Sequence, residues 1–274
     1  MRRVETRRLG GQMGRPEGRL RLLVDLDGVL YRGTTILQGV AEFFAWAEAA
    51  GHSSLLVTNN SLRTQAEVSG NLRRMGLSVE PGGILTSAMA TRAWLQAQAP
   101  EGARIQALGG SGLLQALFSP GSRFTPDWES PEWLVLGQDF DMTYQKLAAA
   151  CIAVQNGARF VVTNPDTTLP TEAGLTPGAG AWQAVVTLVT GVQATVIGKP
   201  ETGIFETALA MMPAEGAVVV IGDRLDTDIL AGHRLRATTV LVLTGVSTRA
   251  DVDAYPVKPD YLFEDLPELV ASWS

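Results

Sequence analysis

The chain has 274 residues, 46% of them hydrophobic, and a formal net charge of −6. That length suits one large α/β domain or two smaller ones, and the apolar share is that of a folded globule. The acidic balance argues against a nucleic-acid partner. No apolar stretch reaches the roughly 18 residues of a membrane span, so no membrane partner is expected.

The first stretch, 1–19, is expected to be a basic flexible tail. Arg2, Arg3, Arg7, Arg8, Arg15, Arg19 and Arg21 crowd the N-terminus without the apolar core of a signal peptide. Leu20–Val24 is a short apolar run, which reads as a buried strand. Val40–Ala50 reads as a helix stopped by Gly51, Ser54–Val57 as a strand and Gln65–Met75 as a helix ending at Gly76. Helices are expected over Ala88–Gln98, Leu113–Phe118 and Tyr144–Asn156, with strands at Arg104–Leu108, Trp133–Leu136 and Phe160–Val162. Further on, the helix Ala181–Thr190 leads to the strand Thr195–Ile197, and the helix Ile204–Met212 to the strand Ala217–Ile221. Asp228–Leu235 is helical, Thr239–Leu243 and Tyr261–Phe263 are strands, and Leu266–Trp273 closes the chain as a helix. Strands separated by helices pair in parallel through right-handed crossovers, which makes the fold class α/β with a doubly wound parallel sheet.

Two breaks interrupt the alternation, Pro81-Gly82-Gly83 and Thr176-Pro177-Gly178-Ala179-Gly180. The segment between them has its own strands and helices. The expected organisation is therefore a core from 20–80 and 181–274 with an inserted α/β domain over 81–180.

Composition narrows the chemistry. A single cysteine, Cys151, rules out a disulfide framework and fits a reducing cytoplasm. Only two histidines occur, His52 and His233, both at expected helix ends. A Cys/His zinc site and a Gly-x-Ser-x-Gly nucleophile are both missing. Gly109-Gly110-Ser111-Gly112 lacks dinucleotide-loop spacing, with Gln115 where the last glycine belongs. Acid–base work falls to carboxylates.

Four expected strand ends carry polar residues suited to that work. Asp25 and Asp27 follow the first strand; alternate residues of a strand share a side, so the two carboxylates converge. Their repulsion calls for a cation or for a division of roles. An EF-hand loop starting at Asp25 would carry its glycine at the sixth position and an acid at the twelfth, but Gly28 is fourth and Ile36 twelfth, which removes a calcium-loop reading. Thr58, Asn59, Asn60 and Ser61 follow the second strand as a hydroxyl–amide cradle for an anion. Gly198-Lys199-Pro200 follows Thr195–Ile197 and offers a compact cation, outside any P-loop pattern. Asp223, Asp226 and Asp228 follow Ala217–Ile221, and a carboxylate cluster suits a hard cation such as Mg²⁺. Parallel strands bring such ends to one edge, where open α/β sheets bind ligands.

The series Asp25-Leu26-Asp27-Gly28-Val29-Leu30, Thr58-Asn59, Lys199 and Gly222–Ile229 resembles the haloacid dehalogenase superfamily of phosphatases. It is closer to the NagD-like, p-nitrophenylphosphatase and phosphoglycolate phosphatase branch with a class IIA cap. Gly157-Ala158-Arg159-Phe160, Thr163-Asn164-Pro165-Asp166 and Leu169-Pro170-Thr171-Glu172 add to the resemblance, which spans roughly 20–270. It implies a Rossmann-like core with an inserted cap, and a Mg²⁺-dependent phosphatase of small phosphate monoesters. In that scheme Asp25 is the nucleophile that becomes an aspartyl-phosphate, and Asp27 is the general acid and base. Thr58, Asn59, Asn60 and Lys199 hold the phosphate. Asp25, the Asp27 carbonyl, Asp223 and Asp228 serve the metal. Asn164 and Asp166 are candidate cap contacts to substrate. The resemblance also implies a homodimer. p-Nitrophenyl phosphate is the generic substrate, and phosphoglycolate, sugar phosphates and nucleotides are natural candidates. A pyridoxal phosphate phosphatase or a phosphomutase on the same fold stand as alternatives. A carbon–halogen hydrolase has no use for Asp27, and an idle scaffold has none for the full set of acids and Lys199.

Overall fold

The computed structural model describes residues 16–171 and 174–274. Most of the expected basic tail (1–15) and Glu172 lie outside the described residues. Among the described residues, no helix is long and apolar enough to cross a membrane. The chain divides into two compact units. One comprises the residues up to Thr58, Ser69–Leu85 and Pro200–Ser274; the other comprises Asn59–Val68 and Thr86–Lys199.

The first unit is built on a six-stranded sheet in the order Tyr261–Phe263, Thr238–Val242, Ala217–Gly222, Leu20–Val24, Ser53–Thr58 and Ile84–Thr86. The pairings of Leu20–Val24 with Ala217–Gly222 and with Ser53–Thr58 are parallel, as are those that join Thr238–Val242 to its two neighbours. The central strands are buried along nearly their whole length. That explains their continuous apolar runs, since a parallel sheet is covered on both faces. The chain starts in the middle of the sheet, steps outward to Ile84–Thr86, and returns to the other side of Leu20–Val24. This order reverses direction between Leu20–Val24 and Ala217–Gly222, the topological switch point at which doubly wound sheets bind ligands. The helix Val40–Ala49 and the closing helix Leu266–Trp273 pack together, with Phe43 and Trp273 fully buried. Trp273 sits edge-on to Tyr261 and Phe263. His52 is structural: its Nδ1 accepts the Leu20 N–H at 3.3 Å.

The second unit has a five-stranded parallel sheet in the order Thr195–Val196, Arg159–Val162, Trp133–Leu136, Arg104–Leu108 and Thr125–Pro126. Its core gathers Leu134, Leu136, Ala150, Cys151, Phe160, Val162, Ala179 and Val186. Burial pushes the Cys151 thiol up, which makes it a poor nucleophile. Asn156 is the C-cap of the helix Tyr144–Gln155, and an antiparallel hairpin pairs Thr168–Thr171 with Gly174–Pro177.

The observed units differ from the expected boundaries at 81 and 180. Ile84–Thr86 is the edge strand of the first sheet, so that unit continues past Pro81-Gly82-Gly83 to Leu85. The helix Ala179–Thr190 packs Ala179 and Val186 into the second unit's core, and Thr195–Val196 extends its sheet. The second unit therefore runs to Lys199. The helix expected from Asp228 begins instead as a wide π-type turn over Leu225–Ile229, followed by Leu230–Arg234.

Candidate active site

Asp25 comes directly after Leu20–Val24, and Asp223 directly after Ala217–Gly222, so both stand at the switch point. The ladder continues one residue past the first strand, with the Asp25 N–H donating to the Ile221 carbonyl at 2.9 Å. The wide turn brings in Asp228, which is 1% exposed, and the Arg224 N–H donates to its Oδ2 at 3.2 Å. One carboxylate oxygen from each of Asp25, Asp223 and Asp228 lies within 4.8 Å of the others. Three carboxylates so placed, two of them buried, repel strongly unless a cation is shared.

The donor set fits a divalent hard metal: the candidate ligand atoms are all carboxylate oxygens, and no thiolate or imidazole joins the group among the described residues. The surrounding backbone is shaped to the carboxylates. A Cβ on Gly245 would stand 1.8 Å from Asp223 Oδ2, and one on Gly222 would stand 2.2 Å from the Asp228 carboxyl carbon. A Cβ on Gly28, whose φ is +79°, would meet Asp223 Oδ2 at 2.5 Å. The Val246 N–H donates to that same oxygen at 2.6 Å. These glycines make room for the acids to converge.

Asp27 is exposed, and its Oδ2 accepts the Tyr31 hydroxyl at 2.9 Å. Tyr31 belongs to a small hairpin, Tyr31–Arg32 with Thr35–Ile36. Arg32 in turn donates to the carbonyls of Thr244 and Gly245. Neither Tyr31 nor Arg32 stands out in the sequence as a site residue. The only local signal was the tight turn at Gly33, which folds this segment back on itself. Thr58 ends its strand 5% exposed.

The remaining expected residues lie in the second unit. Lys199 is 3% exposed, an unusual depth for lysine. Asn59 accepts the Lys199 N–H on Oδ1 at 2.8 Å, and its Nδ2 donates to the Lys199 carbonyl at 2.9 Å. The same Nδ2 lies 3.2 and 3.3 Å from the two Asp166 carboxylate oxygens. The Asn164 side chain donates to the Asn59 carbonyl at 2.8 Å. Asn60 folds back locally, its Oδ1 accepting from the N–H groups of Leu62 and Arg63. Asn164 and Asp166, expected at the substrate, thus have described bonds that lead to Asn59.

A Rossmann-like sheet with an acid cluster at its switch point, interrupted in sequence by a second α/β unit, defines the class of doubly wound α/β proteins. A family model for haloacid dehalogenase-like hydrolases matches residues 22–122, and a HAD-hydrolase-like model matches residues 196–269. The acid sugar phosphatase of Staphylococcus aureus (strain USA300) is 43% identical over 250 residues, which cover 91% of this chain and 96% of that protein. Among solved structures, a single mutant of a thermostable NPPase from Geobacillus stearothermophilus superposes with a TM-score of 0.83 at 38% identity, over 90% of this chain and 96% of that one. A glycerol phosphate phosphatase from Mycobacterium tuberculosis in complex with magnesium gives 0.84 at 34% identity, over 91% and 75%. The chain belongs to the haloacid dehalogenase-like hydrolases, within their NagD-like class IIA branch, and is a phosphatase.

Proposed function

We propose that the protein hydrolyses small sugar phosphate monoesters with Mg²⁺, through a phosphorylated Asp25. The observation that carries this is the convergence of Asp25, Asp223 and Asp228 within 4.8 Å at the switch point. Support for the substrate class comes from the acid sugar phosphatase relative, and support for the metal from the magnesium complex of the glycerol phosphate phosphatase.

Asp25, Asp223, Asp228 and the Asp27 carbonyl would hold Mg²⁺, whose charge offsets that of the acids and of the phosphate dianion. An Asp25 oxygen attacks phosphorus while the bond from phosphorus to the ester oxygen breaks. Asp27 gives its proton to the departing alkoxide, an assistance worth roughly 10²–10⁴-fold. Asp27 then takes a proton from water as that water attacks the phosphorus. The bond from phosphorus to Asp25 breaks, and inorganic phosphate leaves. Thr58 and the following N–H groups hold phosphoryl oxygens, and Lys199 supplies positive charge to them. The single reduced cysteine supports a cytoplasmic setting. Dimerisation is part of the same reading and is tested by sedimentation.

The test is hydrolysis of p-nitrophenyl phosphate and of a sugar phosphate panel with Mg²⁺ and with EDTA, for the parent and for Asp25→Asn. Turnover should need Mg²⁺ and vanish in Asp25→Asn, with circular dichroism unchanged. Near-normal turnover in Asp25→Asn, or full activity in EDTA, overturns the reading.

A further inference from the structure

We infer that Asn59 and Asp166 form a clamp that positions Lys199, and that their side chains do not contact the substrate. The inference rests on the proposed role of Lys199 and reassigns the work of two residues expected at the phosphate and the substrate.

The geometry is that of a ladder. The Asn59 carboxamide presents Oδ1 to the Lys199 N–H at 2.8 Å and Nδ2 to the Lys199 carbonyl at 2.9 Å, so one side chain pairs with both polar groups of the lysine's backbone. A carboxamide has two N–H donors and one acceptor oxygen. One Nδ2 hydrogen goes to the Lys199 carbonyl and the other to the Asp166 carboxylate, at 3.2 and 3.3 Å. Both donors of Asn59 are therefore engaged. Its orientation is also determined, because the flipped amide would set N–H against N–H at Lys199.

The clamp is itself anchored. The Asn59 carbonyl accepts from Ser87 Oγ at 2.6 Å and from Asn164 Nδ2 at 2.8 Å. The Asn164 Oδ1 accepts the Asp166 N–H at 3.2 Å, which fixes the turn that carries Asp166. Asn164 is 4% exposed. Glycine at 198 is required for the approach, because a Cβ there would stand 2.6 Å from both Asn59 Oδ1 and the Thr163 carbonyl. All of these groups belong to the same compact unit. A long, flexible side chain delivers charge accurately only if its backbone is fixed, and misplacement by about 1 Å can cost on the order of 100-fold in rate. The Thr-Asn-Pro-Asp segment thus serves the lysine rather than selecting the substrate.

The experiment is a double-mutant cycle on kcat and KM with p-nitrophenyl phosphate and three sugar phosphates. Lys199→Ala alone tests the underlying reading: if it leaves kcat unchanged, the assigned role of Lys199 fails, whatever Asn59 does. With that role intact, Asn59→Ala should lower kcat by roughly 10- to 100-fold, change KM little, and have no further effect in the Lys199→Ala background. A rise in KM, or a loss that persists in that background, overturns the clamp. Asp166→Ala should lower kcat by one common factor for all four substrates, and Asp166→Asn, which keeps an acceptor for Asn59 Nδ2, should restore most of it. Substrate-dependent factors would assign Asp166 to substrate selection and refute the inference. If Asn59→Ala does not fold, as judged by circular dichroism, the two Asp166 variants decide it.

Discussion

Gly245→Ala probes the acid cluster without replacing any of its acids. The added methyl would begin 1.8 Å from Asp223 Oδ2, 2.3 Å from its carboxyl carbon and 2.4 Å from its Cβ. Real Cβ contacts essentially never fall under 3.0 Å, so the oxygen or the loop must move by at least 1.2 Å. The loop is pinned. Its Thr244 hydroxyl donates to the Gly28 carbonyl at 2.5 Å, the Ser247 N–H donates to the Asp223 carbonyl at 3.0 Å, and Ser247 Oγ accepts the Leu225 N–H at 3.1 Å. The Asp223 carboxylate therefore gives way and loses its bond from the Val246 N–H. Metal–oxygen distances tolerate only about 0.2 Å, so in the proposed metal site a shift of that size would displace Asp223 as a ligand. Loss of a group that orients a ligand costs roughly 10- to 100-fold in metal affinity, and the overpacking adds about 1–3 kcal/mol of destabilisation. Calorimetric Mg²⁺ titration, together with the Mg²⁺ dependence of p-nitrophenyl phosphate turnover, measures the effect. Gly70→Ala is the control: it lies in the helix Gln65–Arg74 with nothing within 4 Å of its Cβ. It should raise Tm through a helix-propensity gain of about 0.5–1 kcal/mol and leave Mg²⁺ binding unchanged. Parent-like Mg²⁺ affinity and kcat in Gly245→Ala would refute both the steric argument and the metal role of Asp223.

Tyr31→Phe removes the hydroxyl held by Asp27; kcat should fall by about 2- to 10-fold, the worth of one hydrogen bond, with KM and Tm nearly unchanged. An unchanged kcat would remove Tyr31 from the mechanism. The Glu67 carboxyl is held below its ordinary value of 4.5, chiefly by the Thr64 N–H, and its own N–H donates to Thr64 Oγ1 in a reciprocal cap. A lowered native pKa means that the unfolded chain takes up the proton first. The ionised Glu67 therefore adds stability above its ordinary value, and the gain disappears as pH falls through the lowered one. Thermal melts of the parent and Glu67→Gln should differ at neutral pH and converge in acid; a gap that persists in acid contradicts this. Gln106 is fully buried, and neither polar atom of its side chain has a hydrogen-bond partner among the described residues. Gln106→Leu should raise stability in urea unfolding by about 1–3 kcal/mol, and a loss of stability would mean that the amide is satisfied in solution.

What was legible in the sequence follows the range of the forces involved. Leu20–Val24 and Ala217–Gly222 announce themselves because a strand covered on both faces must be apolar throughout, and the acids that end them are local in the chain. Ile84–Thr86 was hidden because three residues after Pro81-Gly82-Gly83 carry too little pattern, and only its pairing at the sheet edge makes it a strand. The boundary expected at 180 differs from the observed unit, which runs to Lys199, for a related reason. Thr176–Gly180 looks like a linker, but the attachment of Ala179–Thr190 is decided by where Ala179 and Val186 are buried. The site divides in the same way. Asp25 and Asp223 follow their strands directly, but the sequence offers Asp226 and Asp228 alike, and only the fold groups Asp228 with the other two. Gly245 likewise matters only because the fold brings it against Asp223, 22 residues away in the chain. Asn59 is the sharpest case. Its position after Thr58 marks it as a residue of the site, and an amide there suits a phosphate oxygen as well as a peptide group. Its partner lies 140 residues away, and only a hydrogen-bond count in the folded chain separates the two roles. Residue type and strand end thus point to a candidate edge from sequence, while the proposed division between groups that touch the substrate and groups that hold them rests on long-range contacts.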